Sequence, residues 1–347
     1  MSQFVLDLAA EAGGQSIVSI SRNNEMFQPI QSMGTSVLSI KTFSHPLGAL
    51  NLFRLWKARR AVVDAIHTYD IRHVVVLMSH VWTPFLASAV KSMGVRYTVL
   101  VHDALPHPGD ITARIHAWLM RDALQADVVC TLSEYVATAI RARYPSLALR
   151  VRVLFHPHLR RHITPAFPPQ NLIGFLFFGR IMAYKGLPLF VEACELLRSR
   201  GHTFRVAVVG EGALGGLAVR LASLQAEVVN RWVDPLELDD FISRYSVVVC
   251  PNIEASQSGV IALAHGLDRP VIATPVGGLI EQIADGITGL LIPSVSAEAL
   301  ADAMQRFLED SSLRSALREG LLAVRESRSM ARFLEAIVLP DEPSENH

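Results

Sequence analysis

The stretch Pro251–Glu281 carries residue types that suit phosphate binding at the end of a parallel strand. It follows the apolar run Ser246–Cys250, presents the carboxylate of Glu254 on a turn, and then has the small residues Ser258-Gly259-Val260 where a helix is predicted to begin. A Ser-Gly pair at a helix N-terminus lets backbone N–H groups approach an anion closely. Because ligands bind beyond the carboxyl ends of parallel strands, this stretch predicts a phosphate-binding turn beside a single acid.

A second segment adds two cations in an equivalent position. The apolar run Ile173–Phe178 is followed by Gly179-Arg180 and then by Lys185-Gly186. An Arg fork, a Lys point charge and a helix N-terminus can neutralise a diphosphate without a metal ion. No Asp-x-Asp sequence that could hold a divalent cation occurs in the chain. The alternative is that Arg180 and Lys185 are ordinary solvated loop cations.

These motifs together resemble the retaining, GT-B-fold glycosyltransferases often called family 4. The resemblance rests on the Glu and Ser-Gly-Val of the first stretch, its Pro-Val-Ile-Ala-Thr and Gly-Gly-x-x-Glu sequences, and the Gly-Arg…Lys-Gly segment. A further landmark, Val208-Val-Gly-Glu-Gly212, lies between the two blocks. The resemblance is specific over residues 172–292 and looser over the first 170 residues.

The resemblance implies a role for each matching residue. Arg180, Lys185 and the Gly179 and Ser258-Gly259-Val260 backbones would hold the donor diphosphate, and Glu254 would lie against the transferred sugar. The nucleotide would contact four residues of the second half: Gly210, Glu211, Trp232 and Glu281. It further implies a metal-independent reaction with a nucleotide diphosphate sugar as donor and no other cofactor.

The chain departs from the family at one site position. The family has a second Glu eight residues after the first to hold the ribose, and here that position is Ala262. A methyl group cannot accept hydrogen bonds from a ribose diol, so the ribose contact must come from elsewhere or be weak.

The sequence Gly210-Glu-Gly-Ala-Leu-Gly215 also matches the dinucleotide fingerprint G-x-G-x-x-G, which alone is a weak signal. It follows the second strand of its half, and no acid is convincingly placed for a ribose about 20 residues later. We therefore expect a turn that lines the nucleotide pocket and not an NAD(P) site.

In the first half, His102-Asp103 ends the strand-like run Tyr97–Val101. A strand-end histidine is usually structural, but the family resemblance assigns His102 to the transferred sugar. Asp103 and His107 are weaker candidates for the acceptor side.

Composition limits the remaining possibilities. A length of 347 residues suggests about two domains, and half of the residues are hydrophobic. The 32 basic side chains balance the 32 acidic ones, so the chain has no net positive charge that would favour binding to nucleic acid. The three cysteines form no C-x-x-C, which indicates buried thiols in a reducing compartment. Without a long apolar run or a signal peptide layout, we expect a cytoplasmic protein.

Strand-like runs, among them Glu227–Trp232, alternate with helical patterns, among them residues 110–125, which predicts parallel α/β sheets in both halves. We expect two Rossmann-like lobes facing a cleft: an acceptor-side lobe over residues 1–155 and a nucleotide-sugar lobe over 171–325. Residues 156–170, with four prolines and no periodicity, are predicted to be the linker, and 326–347 a C-terminal helix and tail.

The chain opens on a helical pattern, Phe4–Glu11, whereas lobes of this kind normally begin with a strand. We therefore expect that the first strand is missing, through a start codon assigned too late or through loss of the piece.

The predicted helix Asn51–His67 places four basic side chains near Phe53 and Trp56, as helices on anionic membranes do. The alternative is a surface helix whose apolar stripe is buried. With lipid-linked acceptors common in the family, a peripheral position at the inner membrane face is one expectation.

The function implied by the resemblance is transfer of a hexose to a glycan or lipid-linked acceptor with retention, in surface polysaccharide synthesis. Three alternatives stay open: a non-hydrolysing nucleotide-sugar epimerase, a retaining phosphorylase, and an inactive partner subunit, which Ala262 and the missing strand would favour.

Overall fold

The computed structural model describes residues 2–24, 26–43, 45–105, 114–159 and 173–339. His107 and most of the predicted linker lie outside these ranges, so the domain boundaries drawn from the sequence stay predictions. The chain divides into two compact units, residues 1–155 with 330–347 and residues 156–329.

Twelve strands lie in the described ranges: β1 Ile17–Ser21, β2 Ser36–Ile40, β3 His73–Val76, β4 Arg96–Val101, β5 Val128–Thr131, β6 Val151–Val153, β7 Gly174–Phe178, β8 Arg205–Val209, β9 Glu227–Val229, β10 Val247–Cys250, β11 Val271–Ala273 and β12 Gly289–Leu291. The α-helices in the same ranges are α1 Ser2–Ala12, α2 Phe27–Ser32, α3 Leu52–Thr68, α4 Thr83–Ser92, α5 His116–Gln125, α6 Glu134–Arg143, α7 Leu187–Ser199, α8 Leu217–Ser223, α9 Pro235–Arg244, α10 Gly259–Gly266, α11 Leu279–Gln282, α12 Ala297–Glu309, α13 Ser311–Val324 and α14 Met330–Val338.

The second unit is built on one six-stranded parallel sheet in the order β12-β11-β10-β7-β8-β9. Every residue of β7, β10 and β11 is buried, as expected for parallel strands covered on both faces. Helix α7 covers one face, because its apolar residues recur at helical spacing and pack into the core as Leu187, Phe190, Val191, Cys194 and Leu197. Strand order reverses between β7 and β10, and such a reversal places a ligand site at the carboxyl edge.

The first unit contains a four-stranded parallel sheet, β3-β4-β5-β6, and a separate parallel pair, β1-β2. Helix α14 belongs to this unit although it follows the second unit in sequence. Its Phe333 packs edge-on against Phe4 of α1, with ring centroids 5.2 Å apart, and against Phe155, 6.0 Å away. The predicted α/β class with parallel sheets is confirmed.

Two element boundaries differ from the sequence prediction. The strand expected over Glu227–Trp232 ends at Val229, because the Asn230 side chain accepts a hydrogen bond from the Gly212 amide and the chain turns there. The helix expected over 110–125 begins at His116 within the described residues.

Candidate functional site

The loops after β7 and β8 lie side by side at the carboxyl edge of the second unit's sheet. The Gly179 amide donates to the Val209 carbonyl (3.0 Å), and the Ile181 amide donates to the Glu211 carbonyl (2.8 Å). Gly210 has a φ of +142° and packs so closely that a β-carbon there would lie 2.0 Å from the Gly179 carbonyl oxygen. A residue with a side chain cannot replace Gly210 without moving the Gly-Arg loop.

The loop after β7 also contacts the loop after β10. A β-carbon on Gly179 would lie 3.4 Å from a methyl group of Val260, in the first turn of α10. Farther along, a β-carbon on Gly186 would lie 1.8 Å from the Pro251 carbonyl oxygen, and the Ile253 amide donates to the Tyr184 carbonyl (2.8 Å). The segments that carry Arg180, Lys185 and Glu254 are therefore neighbours in one unit.

The loop after β11 completes the cluster. The Gly278 amide donates to the Ala255 carbonyl (3.2 Å), and the Thr274 hydroxyl donates to the Asn252 carbonyl (2.5 Å). Asn252 is 2% exposed, and its side-chain N–H group finds no acceptor among the described residues. Sequence reasoning missed Asn252, because an Asn after a strand has no distinctive spacing.

The charged side chains of this cluster are exposed, whereas the backbone that carries them is fixed. Arg180, Glu254 and Glu281 have exposed side chains, and the backbones of their loops are held by hydrogen bonds.

Cys250, at the end of β10, is a buried thiol near this cluster. Lys185 lies close enough to Cys250 to favour its thiolate, but burial dominates and raises the pKa of that thiol to about 12. Cys250 is therefore an inert core residue, as predicted for a buried thiol.

The N-terminus of α10 has backbone N–H groups without an intrahelical acceptor. The first N–H groups of a helix have no intrahelical acceptor, and in α10 these belong to Gly259, Val260 and Ile261. The amide of Ser258, in contrast, donates to the side chain of Gln282 at 2.7 Å. Of the three predicted phosphate-binding residues here, Ser258 thus has its backbone N–H already in use.

The remaining residues that were predicted to contact the nucleotide have fewer described contacts with these loops. Glu211 is exposed, in the loop beside Gly179. Trp232 lies beyond β9 and is 62% exposed, and Glu281 is in the short helix α11. No described contact links Trp232 to the α10 N-terminus.

Ala262, the position where the family has its second Glu, is 1% exposed and lines a small polar cavity behind the α10 N-terminus. The other side chains that line it are His156, His158, Ile261, His265, Gln282 and Arg328. None of these described lining residues is a carboxylate. Two of the rings are packed together, with the centroids of His158 and His265 5.0 Å apart.

The buried imidazoles of this cavity resist protonation. Burial, and next the charge of Arg328, lowers the pKa of His158 to about 3. Burial, and next the presence of His158, lowers the pKa of His265 well below its ordinary value. Both histidines are therefore neutral in the folded protein near neutral pH.

In the first unit, His102 follows β4 at the carboxyl edge of the four-stranded sheet. Its Nε2–H group donates to the Leu77 carbonyl (2.9 Å), which fixes the tautomer, and burial lowers its pKa. The carbonyl of the neighbouring Asp103 accepts a hydrogen bond from His116 (3.3 Å). His102 is thus a neutral imidazole at the predicted edge of its own unit.

No group of three or more His, Cys, Asp or Glu side chains among the described residues is arranged to hold a metal ion. Likewise, none of the described helices is both long and apolar enough to cross a membrane.

Residues 173–310 match the family model described as Glycosyl transferases group 1. D-inositol 3-phosphate glycosyltransferase of Arthrobacter sp. (strain FB24) is 35% identical over 169 residues, which are 44% of this chain and 40% of that protein. Alpha-D-kanosaminyltransferase of Streptomyces kanamyceticus is 25% identical over 259 residues, 68% of this chain and 67% of that protein. The matched part of the first relative is thus less than half its length.

Solved structures share the fold over nearly the whole chain. Anabaena HepE in complex with UDP has a TM-score of 0.74 at 16% identity, covering 97% of this chain and 94% of that one. A glycosyltransferase from Rickettsia africae has a TM-score of 0.69 at 17% identity, with the same coverage. The resemblance that the sequence motifs indicated, and the α/β fold of two Rossmann-like lobes that it implied, are confirmed.

Proposed function

We propose that this chain, whose residues 173–310 match the glycosyl transferases group 1 family model, transfers a hexose from a nucleotide diphosphate sugar to a glycan or lipid-linked acceptor. The observation that carries the proposal is the convergence of the Gly179-Arg180, Gly210-Glu211 and Ser258-Gly259-Val260 segments at one edge of the second unit's sheet. Transfer would proceed with anomeric retention and without a metal ion, in surface polysaccharide synthesis.

The donor diphosphate is assigned to the N-terminus of α10. The amides of Gly259 and Val260 belong to the first helical turn, and Arg180 and Lys185 lie on the loop that contacts Val260. As the sugar leaves the diphosphate, negative charge grows on the phosphate oxygens, and fixed donors and cations stabilise that charge in the transition state. These amides and cations would supply the stabilising charge by themselves.

The sugar-side assignments stay predictions from the family resemblance. Glu254 lies on the turn that precedes α10 and would orient the transferred sugar. His102, a neutral imidazole held in place by the Leu77 carbonyl, would contact a sugar hydroxyl. Glu281 would contact the nucleotide, and Asp103 and His107 the acceptor.

A binding experiment tests the proposal. The full chain is titrated calorimetrically with UDP, GDP, ADP and TDP, and at least one is expected to bind. Arg180→Ala should weaken that binding about 10-fold or more, because a charged hydrogen bond contributes roughly 1.5–3 kcal/mol. The matched control is Arg306→Ala, which removes an exposed cation from α12. Absence of binding by all four would overturn the proposal, and donor turnover without acceptor would favour the epimerase instead.

A second proposal concerns helix α3 as a contact with an anionic membrane surface. Its buried residues, Ala58, Ala65 and Ile66, lie on one side of the helix. Phe53 and Trp56 are 63% and 52% exposed. The alternative of an apolar stripe buried within the unit thus applies to one side of the helix and not to these two rings.

The exposed side also carries the charge that an anionic surface attracts. The Lys57 ammonium lies 4.5 Å from the Phe53 ring centroid, and the Arg60 guanidinium lies 5.7 Å from the Trp56 ring. Leu50 and Leu52, 76% and 75% exposed, extend the apolar surface. Aromatic and aliphatic side chains among basic ones are typical of helices that lie in the membrane interface.

Vesicle sedimentation tests this surface. Binding to vesicles containing phosphatidylglycerol is expected to exceed binding to pure phosphatidylcholine and to fall with salt. Phe53→Ser with Trp56→Ser should abolish it, whereas Val219→Ser, which removes an apolar side chain that is 73% exposed in the second unit, should not. Equal binding by all three proteins would refute the proposal.

A further inference from the structure

The N-terminus of α10 is held by a side chain from another loop. Ser258 is the N-cap residue and is 2% exposed, but its own side chain makes no capping hydrogen bond to the helix. Instead, the Gln282 carbonyl oxygen accepts from the Ser258 amide (2.7 Å), and the Gln282 amide nitrogen donates to the Ser258 carbonyl (3.0 Å). Because one partner is a donor and the other an acceptor, the orientation of the Gln282 amide is fixed.

This pair of hydrogen bonds joins two loops of the ligand edge. Gln282 is the last residue of α11 and follows the Gly277-Gly278 turn after β11, whereas Ser258 ends the loop after β10. The Ser258 carbonyl also accepts from the Ala262 amide (3.3 Å), so the same peptide belongs to the helical ladder. Gln282 thereby ties the direction of the α10 axis to the loop after β11.

We propose that Gln282 is a positioning residue that aims the amides of Gly259 and Val260 at a diphosphate. This inference rests on the proposed function. Gln282 bonds to Ser258 through both polar atoms, so we assign it to the support of the helix N-terminus and not to phosphate contact. Its effect passes through the backbone: a helix N-terminus that tilts or frays lengthens every hydrogen bond from its first turn to the anion.

The hydrogen bonds of Gln282 also determine which backbone amides of the turn can donate to a ligand. Gln282 occupies the Ser258 N–H group, which leaves the amides of Gly259, Val260 and Ile261 as the donors of the first turn. Only the diphosphate part of a ligand then depends on Gln282. A nucleoside without phosphates should bind equally well with and without it.

The test compares Gln282→Met with wild type. Met keeps the length and volume of the side chain and removes both hydrogen bonds. The full chain is titrated with UDP, GDP, ADP and TDP, and the one that binds is compared with its parent nucleoside. Gln282→Met is expected to weaken the diphosphate about 10-fold and to leave the nucleoside affinity and the melting temperature close to wild type. Gln305→Met, on the surface helix α12, is the matched control and should change none of these values.

Gln282→Leu is the second variant and serves as the test if Gln282→Met folds poorly. It also removes both hydrogen bonds to Ser258, adds no charge that would itself repel a diphosphate, and should likewise weaken diphosphate binding. Equal diphosphate affinity in wild type and either folded variant would overturn the inference, as would equal loss for diphosphate and nucleoside. A wild-type chain that binds none of the four diphosphates would refute the proposed function itself, and this inference with it.

Discussion

The buried histidines of the second unit make a defined prediction about acid sensitivity. His158 has a pKa lowered to about 3, and the pKa of His265 is also well below its ordinary value. In the unfolded chain both return to about 6.5. Below that pH the unfolded state binds more protons than the folded state, so the free energy of unfolding falls as the pH drops from about 6.5 toward 3.

The magnitude follows from the width of this window. Each pH unit below about 6.5 removes ~1.4 kcal/mol for each histidine that stays neutral in the folded state. Between pH 7 and pH 5, one histidine therefore lowers the free energy of unfolding by about 2 kcal/mol. The described residues that line the cavity include the cation Arg328 but no carboxylate, so none of them supplies a negative charge that would stabilise a protonated ring.

Urea unfolding at pH 7 and pH 5 measures the effect. His158→Phe keeps a ring against His265, while its backbone amide still donates to the Arg328 carbonyl (2.8 Å). Its loss of stability between the two pH values should be smaller than that of wild type by about 2 kcal/mol. His45→Phe, which changes an exposed histidine of the first unit, is the control and should lose as much as wild type.

Other titrating groups cancel in this comparison. Burial, followed by the charges of Arg96 and Arg152, lowers the pKa of His73 in the first unit to about 4, so wild type and His158→Phe share that contribution. If His158→Phe and wild type lose equal stability on acidification, the imidazole becomes charged in the folded protein at no cost, and the reasoning from burial is refuted.

Three further predictions concern the donor site. Arg180→Ala and Lys185→Ala should each lower kcat/KM roughly 10- to 150-fold at an unchanged melting temperature, since each removes one charged phosphate contact; a wild-type rate in either would remove that loop from the diphosphate site. Transfer should persist in EDTA, and a loss that Mn²⁺ or Mg²⁺ restores would contradict a diphosphate site made of side chains and amides. Ala262→Glu should tighten the donor Kd about 5-fold or more, because a carboxylate where the family has its second Glu can accept charge-assisted hydrogen bonds from both ribose hydroxyls; weaker binding on a stable fold would place the ribose elsewhere.

The sheet architecture was predictable because burial on both faces leaves a clear mark in the sequence. Val247–Cys250 and Gly174–Phe178 are continuous apolar runs, and each is a fully buried central strand. Strand ends were less predictable. The β9 strand stops at Val229 because Asn230 bonds to an amide 18 residues earlier, and no local pattern signals that contact.

The approximate location of the candidate site also followed from the sequence, but its supporting contacts did not. Residues after parallel strands must meet at one edge, so Arg180 and Ser258 were expected to be neighbours. Gln282 was missed because it acts on the backbone of a distant loop, and Asn252 because an Asn after a strand has no distinctive spacing. The burial of His156 and His158 was equally hidden, because a proline-rich segment without periodicity gives no sign of which residues face a core.

In the candidate site the charged groups are exposed side chains, and the backbone that carries them is held rigidly. Glu254 and Arg180 are exposed side chains on loops, which in isolation would be mobile. Their backbones, however, are fixed from several sides, by the Ile253 amide on Tyr184, by Thr274 on the Asn252 carbonyl and by Gln282 on Ser258. A group that stabilises a transition state contributes most when it needs no reorganisation as charge develops. Loss of an exposed charge should therefore lower the reaction rate and leave folding intact. Loss of a contact such as that of Gln282 should instead change the direction of backbone N–H groups that are still present.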